Sequence, residues 1–140
     1  MQDSIWTKHV SENIDGIFIR EPLTVRHPIG VLMLSHVMES HPGWVVNSAG
    51  RLVQDGWAVV AYDRPGWGRS PGKRGRMDSY VDFVDSPTRI ARNASDKYGP
   101  VPLAGLSLGG MAALHLGPRP RWLFRSVACL PPRIAAPPHL

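Results

Sequence analysis

The order of apolar and polar positions predicts strands and helices that alternate along most of the chain. Residues 30–35 and 57–62 form nearly continuous apolar runs, which are typical of strands buried on both faces of a sheet. Four further strands are predicted, at residues 5–10, 16–20, 101–105 and 124–130. The first two of these are joined through a hairpin turn at residues 13–16. We therefore expect an α/β fold with a mostly parallel sheet and helices on both of its faces.

Helical spacing of apolar residues predicts the segments between the strands. One helix begins near residue 42 and ends at Gly56, which is a typical residue after a helix C-terminus. A second helix covers residues 79–98, and Pro87 within it is expected to produce a kink. A third follows Ser107 and continues to about Leu116. Ligands of such sheets bind beyond the carboxyl ends of the strands, so candidate chemistry is expected there.

A glycine-rich turn follows the predicted strand at residues 101–105. It contains Gly-x-Ser-x-Gly, formed by Gly105, Ser107 and Gly109, and a helix of small and apolar residues follows at once. A serine between a strand and a helix is held on a strained turn that exposes its hydroxyl. The first N–H of the helix, that of Leu108, can then stabilise a developing oxyanion. The alternative is a glycine-rich turn whose serine only caps the helix.

Size and composition restrict the class of protein. The 140 residues, 43% of them hydrophobic, predict one globular domain over residues 1–130 and a proline-rich tail at residues 131–140. No stretch is long and apolar enough to predict a transmembrane segment. The single cysteine, Cys129, favours a reducing cytoplasmic location, and no cysteine or histidine spacing typical of a metal site is present.

The net charge of +5 comes entirely from the last third of the chain. Residues 97–140 contain five basic side chains and no acidic one, whereas residues 1–96 are balanced. An excess of this kind can bind a polyanion. However, the basic residues are scattered among prolines, and the tryptophans are not interleaved with them as a stacking surface requires. We therefore predict no nucleic-acid partner.

Three blocks of the sequence resemble the α/β-hydrolase superfamily, and more closely its monoglyceride lipase, lysophospholipase and serine aminopeptidase-like branch. The first block is the apolar strand that ends in His36-Val37-Met38. The second, DRPGWGRSPGKRG at residues 63–75, is similar to that branch's Asp-x-Arg-Gly-x-Gly-x-Ser-x-Gly-x-Arg-Gly. The third is the turn around Ser107. The resemblance covers about residues 5–130 and implies an α/β-hydrolase fold with six of the usual eight strands, lacking the last strands and the cap.

The resemblance also implies a reaction and the residues that perform it. A serine hydrolase of this kind cleaves carboxylic esters, including lipid and monoacylglycerol esters, through an acyl-enzyme on Ser107, without metal or cofactor. The resemblance assigns the two oxyanion-hole amides to Met38 and Leu108. It assigns the nucleophile-elbow turn to Gly105 and Gly109. A small-molecule ester is accordingly the expected partner.

The catalytic partners of Ser107 are missing from the sequence. In this fold the acid and the histidine follow the nucleophile along the chain, yet residues 108–140 contain no Asp or Glu. His115 is predicted about 12 Å along the same helix, too far to contact the hydroxyl, and His139 lies in the tail. Three upstream candidates are expected to have structural roles at strand or helix ends: His36, His41 and Asp63.

These departures predict a chain that is weakly active or inactive. Val37 is a further departure, because it stands where the family usually has glycine and β-branched residues disfavour positive φ. The alternative function is that of a non-catalytic α/β-hydrolase-like protein that binds an acyl ligand or a partner. An exposed sheet edge, where further strands would pair, predicts self-association.

Overall fold

The computed structural model describes residues 10–14, 16–21, 27–36, 46–116 and 122–130. Its elements are β1 (Val10–Ile14), β2 (Ile17–Glu21), β3 (Gly30–Ser35), α1 (Val46–Gln54), β4 (Trp57–Tyr62), α2 (Tyr80–Tyr98), β5 (Val101–Leu106), α3 (Leu108–Leu116) and β6 (Phe124–Leu130). The strands form one six-stranded sheet in the order β1-β2-β4-β3-β5-β6. The four strands from β4 to β6 in this order are parallel, whereas β1 and β2 are antiparallel to their neighbours. The predicted α/β fold with a mostly parallel sheet is confirmed.

The central strands bury side chains on both faces, as their continuous apolar sequences predicted. Along β4, Ala58, Val60 and Tyr62 belong to one core cluster, and Val59 and Ala61 belong to the other. Successive side chains of a strand point to opposite faces of the sheet. Each face therefore needs its own helical cover, so a strand of this type has no face left for solvent-exposed polar side chains.

The helices supply this cover, with α1 on one face and α2 and α3 on the other. Ala49 of α1 packs in the smaller cluster, whereas Phe83 and Ile90 of α2 and Leu116 of α3 pack in the larger one. α2 continues through Pro87, and Gly99 follows it with φ 78°, a conformation typical of the residue after a helix. No helix in the described parts of the chain combines the length and apolar character needed to cross a bilayer.

The N-terminal hairpin lies further along the chain than the sequence predicted. Ile14 of β1 pairs with Ile17 of β2, so the connection between the strands is only two residues long. The expected turn at residues 13–16 is wrong because Asn13 and Ile14 belong to β1, and most of the expected strand at residues 5–10 lies outside the described residues. Gly16 adopts φ 83°, which the tight connections of two-residue hairpins require. Turn chemistry, rather than the apolar pattern, therefore sets the register of this hairpin.

Candidate active site

Ser107 occupies a sharp turn between a strand and a helix at the carboxyl end of the parallel strands. β5 ends at Leu106 and α3 begins at Leu108. Ser107 has φ 50° and is the only non-glycine with positive φ among the described residues. Its N–H donates to the carbonyl of Leu130 at 3.0 Å, and its own carbonyl accepts from the N–H of Met111 at 3.0 Å. Bonds to β6 and α3 thus hold a backbone conformation that a serine rarely adopts.

The two glycines that flank Ser107 allow the backbone to pack more closely than any side chain would permit. A Cβ on Gly105 would lie 2.6 Å from the N atom of Gly110. A Cβ on Gly109 would lie 2.7 Å from the carbonyl carbon of Ser35 and 2.8 Å from the carbonyl oxygen of His36. The first turn of α3 therefore rests directly on the end of β3, which fixes the position of the Ser107 turn relative to the sheet.

The strain at Ser107 gives a direct test on stability. We expect Ser107→Gly to have a free energy of unfolding about 1 kcal/mol higher than Ser107→Ala, because only the glycine relieves the left-handed conformation. Both variants lack the hydroxyl, so its interactions cancel in the comparison. Chemical denaturation of the two proteins measures the difference. Equal stabilities would show that the turn stores no strain.

A buried polar network joins the ends of β3 and β4 beside this turn. The Ser35 hydroxyl and the Tyr62 hydroxyl share a hydrogen bond of 2.9 Å. The backbone N–H of Arg64 donates to Nε2 of His36 at 3.1 Å, and Nη2 of Arg64 donates to the His36 carbonyl and to Ser35 Oγ, the latter at 3.4 Å. Because Nε2 of His36 is an acceptor, its neutral ring carries the proton on Nδ1. This arrangement supports a structural role for His36 at the strand end.

Asp63 organises the loop that follows β4. Its Oδ2 accepts the backbone N–H of Arg69 at 2.8 Å, and the side chain is fully buried. Its carbonyl accepts the Ser70 hydroxyl, which in turn accepts the N–H of Phe18 at 2.8 Å. A Cβ on Gly68 would lie 2.7 Å from Oδ1 of the carboxylate, so only glycine fits there. These contacts support the structural role that the sequence suggested for Asp63.

The described part of the chain places no general base at Ser107. The Ser107 hydroxyl makes no hydrogen bond to any described residue. Nδ1 of His115 donates to the carbonyl of Met111 at 2.8 Å, and its ring lies 5.5 Å from the Tyr80 ring, so it faces α2. No group of three or more potential metal ligands occurs among the described residues. Four residues considered from the sequence lie outside the described residues: Val37, Met38, His41 and His139.

Sequence reasoning missed most of the buried network. Ser35, Tyr62 and Arg64 received no individual role, although each lies at or just after the end of an apolar strand. A polar residue at that position was the available signal, because the carboxyl ends of neighbouring parallel strands meet at one edge. Their mutual contacts depend on the adjacency of β3 and β4, which no local pattern reports.

Comparison with a family of known proteins gives a match over most of the chain. The family model described as serine aminopeptidase, S33, matches residues 26–140. The match includes the strand ends, the loop after β4 and the Ser107 turn. A search of curated protein sequences found no match.

Solved structures share the fold. A lipase in its open form has a TM-score of 0.72 at 18% identity, covering 87% of this chain and 43% of that protein. A protein from Acinetobacter baumannii that is described as a putative lipase has a TM-score of 0.74 at 21% identity, covering 96% of this chain and 45% of that protein. The monoacylglycerol lipase of Paleococcus ferrophilus has a TM-score of 0.71 at 24% identity, covering 86% of this chain and 45% of that protein. The chain thus spans less than half the length of these three proteins, and similarity at these identities shows a common fold.

Proposed function

Because the chain belongs to the serine aminopeptidase S33 family of α/β hydrolases, we propose that it carries the nucleophile part of an ester-hydrolysing site, with Ser107 as nucleophile. The observation that carries this proposal is the φ of 50° at Ser107, between β5 and α3. Such strain costs about 1–3 kcal/mol and persists only where the surrounding structure enforces it. Here Gly105 and Gly109 permit the close backbone packing that enforces it.

The proposed reaction begins with attack of Ser107 Oγ on the acyl carbon of an ester. The resulting tetrahedral intermediate collapses with cleavage of the ester C–O bond, the alkoxide leaves as the alcohol with the proton of the serine hydroxyl, and the acyl group stays on Ser107. Water then releases the acid and restores the hydroxyl. The N–H of Leu108 is the first oxyanion donor that we propose, because it lies in the first turn of α3, where N–H groups lack partners within the helix. The N–H of Met38 stays a prediction from the family resemblance.

We propose that activity is weak, because nothing in the described residues accepts the Ser107 proton. Nε2 of His36 already accepts the Arg64 N–H, and His115 faces α2. Residues 108–140 contain no acidic residue that could orient a histidine. Loss of the base lowers kcat by roughly 10⁶ in a well-studied serine hydrolase. What remains is stabilisation of the oxyanion and binding of the ester.

Lipid and monoacylglycerol esters are the substrates that we propose first. The similar structures named above are all described as lipases, one of them for monoacylglycerol. A short p-nitrophenyl ester is a less demanding probe, because its good leaving group reduces the need for acid catalysis. It is therefore the better first test of the serine itself.

Mass spectrometry of the protein after long incubation with a fluorophosphonate tests the nucleophile. We expect slow modification of the peptide that contains Ser107, no modification there in Ser107→Ala, and unchanged modification in Ser126→Ala, a control on exposed β6. Turnover of the p-nitrophenyl ester is expected to differ by less than about twofold between the protein and Ser107→Ala, since catalysis without a base is slow.

Two results would contradict the proposal in different ways. Rapid turnover that Ser107→Ala abolishes would show that another residue serves as base, and the proposed weak activity would be wrong. A folded protein whose Ser107 stays unmodified, while a serine hydrolase run in parallel is labelled, would contradict the proposed nucleophile. That second result would favour the non-catalytic alternative.

The exposed edge of the sheet favours that alternative as a second candidate function. Among the described strands β6 is the outermost, beside β5, and most of its side chains are not buried. Leu130 at its end is 49% exposed. An unpaired parallel edge can accept another strand, so binding of a partner or of a second copy at β6 would need no reactive serine.

A further inference from the structure

A pocket beside the buried network has no role in the proposed ester hydrolysis. It lies between the loop that follows β4 and the start of α2. We call it the loop pocket, and the lining residues that matter here are Arg64, Trp67, Lys73, Arg76, Met77 and Phe83. Cationic and apolar side chains thus line one small space.

The guanidinium of Arg64 is buried in the wall of the loop pocket with unused donors. Arg64 is 3% exposed, and only its Nη2 is bonded, to the His36 carbonyl and to Ser35 Oγ. Its Nε and Nη1 are buried and make no hydrogen bond to any described residue. The Phe83 ring lies 5.9 Å from the guanidinium carbon and compensates part of the charge. Buried donors are nearly always paired, so these require an acceptor.

A second unused donor lines the same pocket. Nε1 of Trp67 is buried and makes no hydrogen bond within the described parts of the chain. A buried indole N–H usually has a partner. Two side chains that line the loop pocket, those of Arg64 and Trp67, thus each carry buried N–H groups without a hydrogen bond.

The charge of the surrounding loop selects an anionic acceptor. Between residues 63 and 78 the sequence contains five Arg or Lys side chains and two carboxylates, Asp63 and Asp78. Oδ2 of Asp63 accepts the backbone N–H of Arg69. Asp78 already pairs with Arg76. Among the described residues no carboxylate forms an ion pair with Arg64 or Lys73. The pocket thus keeps an excess of positive charge.

The loop is held in place before any ligand enters. Gly66 N–H donates to the Pro71 carbonyl at 2.7 Å, and Gly75 N–H donates to the Gly66 carbonyl at 3.1 Å. Positive φ at Gly66 and Gly72, 81° and 116°, permits these cross-loop bonds. A preformed loop loses little conformational entropy on binding.

We propose that the loop pocket binds the oxyanion of a small amphiphilic molecule. The oxyanion accepts from Arg64 and Trp67, Lys73 contributes a further positive charge, and the adjoining hydrocarbon lies against Met77 and Phe83. A phosphate or carboxylate at the end of an alkyl chain has this chemistry. The proposal does not require Ser107 to be reactive, so it stands or falls separately from the proposed hydrolase site.

Calorimetric titration with hexyl phosphate, hexanoate, hexanol and inorganic phosphate tests the proposal. We expect at least one of the two hexyl anions to bind at least tenfold more tightly than hexanol, because only the anions pair with the buried donors. The hexyl anions compared with each other distinguish phosphate from carboxylate. Inorganic phosphate is expected to bind more weakly than hexyl phosphate if phosphate is preferred, because it lacks the apolar chain.

Three variants locate the binding. Arg64→Met is expected to weaken binding of the preferred anion at least tenfold. Arg74→Met removes a charge from the same loop but lies outside the pocket lining, and it is expected to change the Kd by less than threefold. Trp67→Phe removes the indole N–H and keeps an aromatic side chain in the pocket wall, so we expect it to weaken binding of the preferred anion threefold or more. This variant tests the proposal by itself if Arg64→Met does not fold.

Three results would overturn the proposal. The first is equal affinity for hexanol and both anions, or no binding of either anion. The second is an equal loss in Arg64→Met and Arg74→Met, which would indicate diffuse attraction to the loop. The third is a folded Trp67→Phe protein whose affinity for the preferred anion is unchanged, when Arg64→Met either does not fold or also binds that anion with unchanged affinity.

Discussion

Replacement of Gly109 by alanine is expected to lower the free energy of unfolding by about 3 kcal/mol, because the added methyl meets backbone that cannot move aside. The new Cβ would lie 2.7 Å from the carbonyl carbon of Ser35 and 2.8 Å from the carbonyl oxygen of His36. A domain of this size is stable by about 5–15 kcal/mol, so a large part of its stability would be lost. Urea denaturation followed by circular dichroism measures the change.

Gly110 provides a matched control in the same helical turn. A Cβ there would come no closer than 3.2 Å to the Gly105 carbonyl oxygen. Alanine also favours the helix over glycine by about 1 kcal/mol, so Gly110→Ala is expected to change the free energy of unfolding by less than about 1 kcal/mol. Equal effects of the two substitutions would show that α3 does not rest on β3 at Gly109.

Leu103→Ala is expected to cost about 3 kcal/mol in the free energy of unfolding, since it leaves a cavity under the strand that carries the serine turn. Leu103 is 1% exposed, and it pairs with Met33 on β3 and Val127 on β6. Neighbouring strands hold the backbone around the cavity, so collapse can recover little of the lost contact. Equilibrium denaturation measures the loss.

The control for Leu103 is the same substitution on the surface. Leu114 of α3 is 61% exposed, and Leu114→Ala is expected to change the free energy of unfolding by about 0.5 kcal/mol or less. Similar losses at both positions would contradict the packing of β5 in the core. They would also remove the physical basis for a fixed Ser107 turn.

The end of β3 connects the two proposed sites. Gly109 of α3 packs against the backbone of Ser35 and His36 from one side. Arg64 donates hydrogen bonds to the hydroxyl of Ser35 and to the carbonyl of His36. The Ser107 turn and the loop pocket therefore share a single structural support.

Much of this architecture could be predicted from the sequence, because its signals are local. The bounds predicted for β3, β4 and β6 agree with the structure. For β3 and β4 the signal is the continuous apolar run that is typical of a strand buried on both faces. The turn at Ser107 could also be predicted, because its glycines and the following helix lie within a few residues of the serine. The family followed from the order and spacing of three such local blocks.

Only the tertiary structure decided the features that depend on which strands are neighbours. The predicted position of the hairpin turn was wrong because β1 (Val10–Ile14) has a mixed polar sequence, and pairing with β2 through a two-residue connection sets its bounds. Gly109 and Ser35 are far apart in sequence, yet their backbones pack closely. The hydrogen bond from the Arg64 N–H to Nε2 of His36 also connects residues that are distant in sequence. From the sequence pattern alone, the side chain of Arg64 would be predicted to be exposed. It is buried where β4 ends beside β3, and that non-local pairing brings together the residues of the network.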